Sequence, residues 1–171
     1  MNRLNTLTRT QILNSLCKGA SQRACEEVFE VSNKTVQKLF RDAGDMAIDY
    51  LGSLRQLEAP VIQADELYSF VGAKQKNVYR MTRPLAGAGT AWVYLAICAK
   101  SRFVLAHHIG DRKLPHATKF FSALRSKLAQ GDNGSLAYRP TIITDGLMAY
   151  KEAAEVIFWR RNQSGDARQT I

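Results

Sequence analysis

The sequence has few cysteines and no long apolar run, and each shortage excludes a class of protein. The three cysteines are odd in number and contain no C-x-x-C pair, so neither a disulfide framework nor a zinc knuckle is indicated. The longest apolar stretch, residues 91–99, is far shorter than the roughly 20 residues that cross a bilayer. No apolar signal region follows Met1. We therefore expect a cytoplasmic protein with no membrane partner.

The composition is otherwise that of a globular protein with a basic surface. Hydrophobic residues make up 46% and charged residues 23% of the 171 residues, enough for a small domain followed by a larger one. The net charge of +9 is uneven. Residues 1–60 contain eight basic and seven acidic side chains, whereas residues 61–171 contain sixteen basic and eight acidic side chains. A basic field of this kind most commonly attracts nucleic acid.

Apolar positions at helical spacing predict an N-terminal domain of three short helices. The predicted helices are residues 8–18, 22–29 and 34–42. Thr8 and Ser21 are the expected N-terminal caps, and Gly19 closes the first helix. Residues 44–60 are expected to form a helical connector with apolar residues available for packing, ended by Pro60.

The third predicted helix separates an apolar face from a basic one. Val36, Leu39 and Phe40 are expected to point inward. The opposite stripe, spaced i, i+4 and i+7, consists of Lys34, Lys38 and Arg41. Two short helices, a tight turn and a basic third helix are typical of a helix-turn-helix, whose second motif helix enters the DNA major groove. A plain three-helix bundle with a solvated basic face is the alternative.

After Pro60 the pattern changes to an α/β order. The predicted strands are residues 61–71, 91–99, 102–109 and 141–144, and the predicted helices are 114–130 and 147–158. Only Lys100 and Ser101 separate the second and third strands, which favours a hairpin. This order predicts a mixed sheet with flanking helices.

Two short sequence motifs and one tyrosine carry a resemblance to a known family. The motifs are residues 63–72 (QADELYSFVG) and residues 144–146 (TDG), and the tyrosine is Tyr150. Together, over residues 8–156, they resemble the insertion-sequence-one-type transposases, which are DDE-type enzymes. The resemblance implies a helix-turn-helix DNA-binding domain at residues 1–57 and a ribonuclease-H-like catalytic domain at residues 58–158.

The resemblance also implies a chemistry. Asp65 matches the family's aspartate in the first strand and Asp145 the aspartate after the fourth, so both would be catalytic ligands of Mg²⁺ or Mn²⁺. The implied activity is DNA transposition: binding of terminal inverted repeats, metal-dependent strand cleavage, and transfer of the 3′ ends into target DNA. The implied partner is double-stranded DNA, as element ends and as target, and a homo-oligomer on DNA is compatible with it.

The residue types suit this chemistry. Phosphodiester attack is served by two divalent ions about 3.5–4 Å apart, and hard carboxylate oxygens bind such ions. Asp65 lies in a mostly apolar strand, where an unpaired carboxylate is costly to bury, so we expect a cation beside it. Glu66 should point to the opposite face of the strand, because side chains alternate, and is not expected to bind metal.

A basic segment after the first strand is a second candidate DNA contact. Its basic residues, which interleave with Tyr79, are Lys74, Lys76, Arg80 and Arg83. We expect a track for the DNA backbone close to the acids, with a solvated loop as the alternative. Arg112, in a Gly-Asp-Arg word that also resembles the family, is expected to be structural.

The sequence departs from the family after Asp145. The third acid would be a glutamate on a helix well beyond it, but the sequence reaches Ile171 before such a helix could follow. Glu152 and Glu155 fall on the next predicted helix and are rejected as that acid. Residues 159–171 are polar and basic, and we expect a disordered tail.

We therefore expect an incomplete catalytic domain in a chain that binds DNA without transposing. One alternative is a non-enzymatic helix-turn-helix regulator that inhibits the full-length transposase. Another is a ribonuclease-H-like nuclease without transposition. Joining of labelled element ends to a plasmid would separate a transposase from a regulator.

Overall fold

The computed structural model describes residues 4–159, and the chain forms two compact units that divide between Ser53 and Leu54. The predicted boundary, after Leu57, lies slightly further along the chain. The predicted tail, residues 159–171, lies outside the described residues except for Trp159. Within residues 4–159, no helix has the length and apolar character to span a membrane.

The first unit consists of three helices around a small apolar core. They are α1 (Thr6–Cys17), α2 (Gln22–Phe29) and α3 (Asn33–Ser53). The buried core residues are Ile12, Cys25, Val36 and Leu39. Both ends of α2 are as predicted. At its start, the Ser21 hydroxyl accepts a hydrogen bond from the Ala24 N–H at 3.0 Å and caps the helix.

Three predictions for this unit are wrong. The cap of α1 is Asn5 rather than Thr8: the Asn5 side chain accepts a hydrogen bond from the Thr8 N–H at 2.8 Å. The third helix does not stop at Asp42 but continues unbroken to Ser53, since a glycine such as Gly44 costs a helix only about 1 kcal/mol. Phe40 is 54% exposed and not part of the core.

The apolar residues of the predicted connector also remain uncovered. Met46, Ile48 and Tyr50 are all exposed along the second half of α3. They were expected to be available for packing, and the buried core of this unit ends before them, at Leu39. The helix therefore extends beyond the residues that pack its first half.

The second unit contains a four-stranded mixed sheet, so the α/β class is confirmed. The strands are β1 (Val61–Val71), β2 (Gly89–Cys98), β3 (Val104–Gly110) and β4 (Thr141–Ile143). Their order is β3-β2-β1-β4, with β1 antiparallel to β2, β2 antiparallel to β3, and β1 parallel to β4. The predicted hairpin is confirmed, and β3 begins late because Arg102 has a φ of 61° in the turn.

The helical elements of this unit pack against the sheet and against one another. They are a 3₁₀ helix (Gln75–Arg80), α4 (Leu114–Arg125), α5 (Met148–Ala154) and a π-helical turn (Glu155–Trp159). The core joins Ile62 and Ala64 of β1 to Tyr94 of β2, Phe120 of α4 and Tyr150 of α5. The apolar face of α4, including Phe120, Phe121 and Leu124, is fully buried, although the helix ends at Arg125 and not at the predicted residue 130.

Candidate metal centre

The parallel register of β1 and β4 sets two distant aspartates side by side. Gln63 pairs with Ile143, and Asp65 and Asp145 each follow at the next position but one. Because paired strands lie about 4.8 Å apart, equivalent positions on them are neighbours. Asp65 and Asp145 are therefore far apart in the sequence but adjacent in the fold.

A tight turn after β4 orients the second aspartate. One oxygen of the Asp145 carboxylate accepts a hydrogen bond from the Leu147 N–H at 3.1 Å, and the Thr144 hydroxyl accepts one from the Gly146 N–H at 3.3 Å. Gly146 has a φ of +87°, which a glycine adopts at little cost. The Thr-Asp-Gly motif therefore has a local structural role, because it forms the turn that orients Asp145.

A third acid joins the pair. Asp65, Glu66 and Asp145 each offer one carboxylate oxygen, and these oxygens lie within 4.8 Å of one another. The expected approach of Asp65 and Asp145 is confirmed. The expected alternation is confirmed, because Asp65 is exposed and Glu66 is buried on β1, yet the two carboxylates still approach each other across it. The Asp65 carboxylate also accepts a hydrogen bond from the Glu66 N–H at 2.8 Å.

The buried acid of this cluster is Glu66 and not Asp65. Asp65 and Asp145 are exposed, whereas the Glu66 side chain is only 1% exposed. Its Oε1 forms an ion pair with the Nε of Arg112, and its Oε2 is buried with no hydrogen-bond partner among residues 4–159. The cost of burying a carboxylate, which we expected at Asp65, therefore falls on Glu66.

The Tyr150 hydroxyl is a second buried polar group beside Glu66. Its hydrogen-bonding neighbour is the Glu66 carboxylate, although among residues 4–159 the contact does not reach good hydrogen-bond geometry. Burial raises the pKa of Tyr150, and the Glu66 carboxylate raises it further, so the hydroxyl keeps its proton at neutral pH. Its ring packs edge-on against Tyr94 and Phe121, which fixes its position.

Arg112 links two of the acids. Its Nε contacts Glu66, its Nη2 lies 3.3 Å from Oδ2 of Asp145, and its guanidinium carbon lies 5.0 Å from the centre of the Trp92 ring. The preceding carbonyl, of Asp111, accepts a hydrogen bond from the Tyr94 hydroxyl at 2.6 Å and anchors this loop. Arg112 was expected to be structural, and its contacts with both acids were not predictable, because nothing local in the sequence relates it to them.

The predicted basic stripe is exposed on α3. Lys34, Lys38 and Arg41 are all exposed, while Val36 and Leu39 are buried on the same helix. The Nζ of Lys38 lies 2.6 Å from a carboxylate oxygen of Asp42, which offsets part of its charge. Lys34 and Arg41 are therefore the stronger candidates for contact with an anion.

The second basic group follows β1. Its four members, Lys74, Lys76, Arg80 and Arg83, are exposed. Arg80 donates a hydrogen bond to the Tyr79 hydroxyl at 2.8 Å. The strand continues past Asp65 to Val71, a rise of roughly 20 Å, so this group begins some distance along the strand from the acids.

No family model matches the sequence, and no curated protein matches it significantly.

Proposed function

We propose that this protein combines the DNA-binding unit and the two metal-binding aspartates of an insertion-sequence-one-type transposase, a class of enzyme that performs metal-dependent phosphodiester chemistry on DNA. The observation that supports it best is the meeting of Asp65 and Asp145, which are distant in the sequence, with carboxylate oxygens within 4.8 Å of one another. The position of these acids, on the first strand and just after the fourth, also supports a ribonuclease-H-like arrangement of the sheet.

The donor atoms of the acid cluster fit a hard divalent cation such as Mg²⁺ or Mn²⁺. Such ions prefer carboxylate and water oxygens, and the cluster consists of carboxylates. Bound ions would activate the attacking oxygen and neutralise the leaving one. Asp65 and Asp145 would hold the metal, with Asp145 kept in orientation by the Leu147 N–H.

The reaction proposed for an enzyme of this type has two steps. Water attacks a phosphodiester at the element end and the bond to the 3′ oxygen breaks, leaving a free 3′ hydroxyl. That hydroxyl then attacks a phosphodiester of the target, joining the two DNAs and releasing a target 3′ hydroxyl. Asp65 and Asp145 contribute by fixing the reacting phosphate near the metal, since correct positioning supplies much of the rate.

We propose a helix-turn-helix for the first unit, formed by α2, the turn at residues 30–32, and α3. The exposed Lys34, Lys38 and Arg41 support it, because they form one stripe opposite a buried face. In this arrangement α3 enters the major groove and the stripe contacts phosphates. The basic side chains of residues 74–83 would contact the DNA that enters the catalytic unit.

A DNA-binding regulator without catalysis is the second candidate. The first unit has a core of its own, built from Ile12, Cys25, Val36 and Leu39, so its binding need not depend on the acid cluster. Such a protein would occupy element ends and exclude the complete transposase.

One experiment separates these functions. The purified chain is incubated with labelled element ends, a supercoiled plasmid and Mg²⁺ or Mn²⁺, together with Asp65→Asn, Asp145→Asn and the control Asp132→Asn, which changes an exposed loop aspartate. Cleavage or joining that is lost in the first two variants and kept in the third supports the transposase chemistry. End binding without chemistry supports the regulator, and the absence of both would overturn the two proposals.

A further inference from the structure

We propose that His108 and His116 form a pH-sensitive clasp that positions Arg112 against Glu66 and Asp145. The inference rests on the proposed function for the use of these acids, but the clasp itself belongs to the second unit and is tested without metal or DNA. The two histidines are positioning residues, because they act on the acids only through the loop that carries Arg112.

The first observation is that the two histidines close this loop. His108 lies near the end of β3 and His116 lies in the first turn of α4, and residues 111–113 connect these elements. Nε2 of His108 and Nδ1 of His116 share a hydrogen bond of 2.9 Å, and the ring centres are 5.2 Å apart. Arg112 therefore lies in a loop whose two ends are joined by this hydrogen bond.

The second observation is a close approach at Gly110, the last residue of β3. A Cβ added at Gly110 would overlap the His116 ring, whose Nδ1, Cε1 and Cγ are the nearest atoms. Only glycine therefore leaves room for the ring in this position. His116 contacts the backbone of β3 as well as the ring of His108, so the clasp holds the start of α4 against the end of the strand.

The loop has a second anchor that does not respond to pH near neutrality. The Asp111 carbonyl, next to Arg112, accepts a hydrogen bond from the Tyr94 hydroxyl at 2.6 Å. Burial raises the pKa of Tyr94, and Glu66 raises it further, so this hydroxyl keeps its proton. The histidine pair is therefore the anchor of the loop that can change its charge near neutral pH.

The chemistry of the pair makes the clasp sensitive to protons. A neutral imidazole has one nitrogen that donates and one that accepts, so two neutral rings, or one neutral and one charged ring, can share a hydrogen bond. Two protonated rings have only donors, and their charges repel each other. The clasp should therefore open when both rings carry a proton.

The surroundings of His108 disfavour a doubly charged pair. The titratable and charged groups that face it are His107 on β3, His116 and Lys119 on α4, and Tyr94 on β2. None of these groups is a carboxylate that could compensate a second positive charge. Burial lowers the pKa of His108, and His116 lowers it further, so His108 is protonated below the ordinary histidine value of about 6.5.

Opening of the clasp should release Arg112. The Arg112 side chain is 39% exposed, so water competes for its guanidinium, and its contacts with Glu66 and Asp145 depend on the loop that presents it. The histidine pair would thus make the arrangement of the acids dependent on pH, as protonation of paired histidines does in other switches.

Nuclear magnetic resonance of the full chain, without metal or DNA, tests the clasp. The chemical shift of the Arg112 Nε–H distinguishes an arginine bound to a carboxylate from one in water, and Arg112→Lys assigns the signal. We expect the bound position at pH 8 and a move toward the solvent position at pH 5.5. His116→Ala should give the solvent position at both pH values, and the control His107→Gln should behave as the wild type does.

A locked variant separates the histidines from the carboxylates as the cause. In His108→Gln combined with His116→Asn, the amide groups take the places of Nε2 and Nδ1 and can share a hydrogen bond, but they do not titrate. The Arg112 signal should then stay at the bound position at both pH values. A shift like that of the wild type in this double variant would assign the pH dependence to the acids and overturn the inference, as would a bound signal at pH 8 in His116→Ala.

Gly110→Ala covers the case in which His116→Ala does not fold. This variant keeps both histidines but displaces the His116 ring, so it should move the Arg112 signal to the solvent position at pH 8, and a bound signal would contradict the clasp. The proposed function fails separately. A pH-sensitive Arg112 signal without cleavage or joining of DNA leaves the clasp standing, and cleavage or joining with a pH-insensitive signal leaves only the function standing.

Discussion

The Glu66 carboxylate and the Arg112 guanidinium form an ion pair in which one side chain is buried and the other is partly exposed. Glu66 is 1% exposed, whereas Arg112 is 39% exposed. The arginine can therefore exchange with solvent or a ligand, but the glutamate cannot. Removal of Arg112 would leave the buried Glu66 carboxylate unpaired. Substitution of Arg112 therefore tests how much this ion pair contributes to the stability of the second unit.

Arg112→Gln should destabilise the second unit by roughly 1–3 kcal/mol. Loss of one partner of a fully buried pair costs about 3–5 kcal/mol, and the exposure of Arg112 reduces that figure. Urea unfolding measures the change. The control is Lys113→Gln, whose side chain and that of its partner Asp111 are both exposed, and it should cost less than about 0.5 kcal/mol. Equal losses in both variants would contradict the prediction.

Gly146→Ala should destabilise the second unit by roughly 1–2 kcal/mol and weaken Mn²⁺ binding. Its φ of +87° disfavours any residue with a Cβ, and the turn that it forms holds Asp145. An added Cβ would meet no atom within 4 Å, so backbone strain alone is measured.

Gly44→Ala is the matched control for that prediction. An added Cβ at Gly44 also meets nothing within 4 Å, but this glycine lies inside α3. Alanine there should stabilise the first unit by about 0.5–1 kcal/mol. Changes of the same sign in both variants, measured by urea unfolding, would argue against the role of the positive φ.

The stability of the second unit should fall as the pH is lowered through the ordinary titration range of histidine. Burial lowers the pKa of His108, and the neighbouring His116, Lys119 and His107 lower it further. The unfolded chain then binds a proton more readily than the folded one, so folding is favoured above the unfolded pKa of about 6.5 and weakened below it.

Thermal melting between pH 8 and pH 5.5 measures this dependence. His108 and His116 share a hydrogen bond of 2.9 Å between ring nitrogens, and His108→Gln should flatten the pH profile. His107→Gln changes a histidine outside that hydrogen bond and should leave the profile steep. An unchanged profile in His108→Gln would assign the dependence to other groups.

Alanine at Lys34, Lys38 and Arg41 should nearly abolish binding to element ends. Each phosphate contact that is removed should reduce the salt dependence of the affinity by about one unit of slope. We expect the smallest share from Lys38, which is paired with Asp42. The control replaces three exposed lysines of the second unit, Lys100, Lys113 and Lys119. Unchanged affinity and slope in the α3 variant would favour a plain helical bundle.

Short elements with strong local signals were predictable from the sequence. The start of α2 was correct because Ser21 provides a capping hydroxyl directly before it. The bounds of β1 were correct because its apolar pattern lies between Pro60 and Gly72. The length of α3 was not predictable from the same kind of signal. A single internal glycine is too weak a helix breaker to stop it.

The sequence alone indicated that Asp65 and Asp145 would share a site, because the resemblance matches both to catalytic acids. Only the tertiary structure decided which other residues belong to the site. Glu66, Arg112 and Tyr150 come together from three distant parts of the sequence. Local periodicity sets which face of a strand a residue takes. The loop anchored by Tyr94 and the burial of Glu66 against Arg112 depend on contacts between elements, which no local pattern encodes.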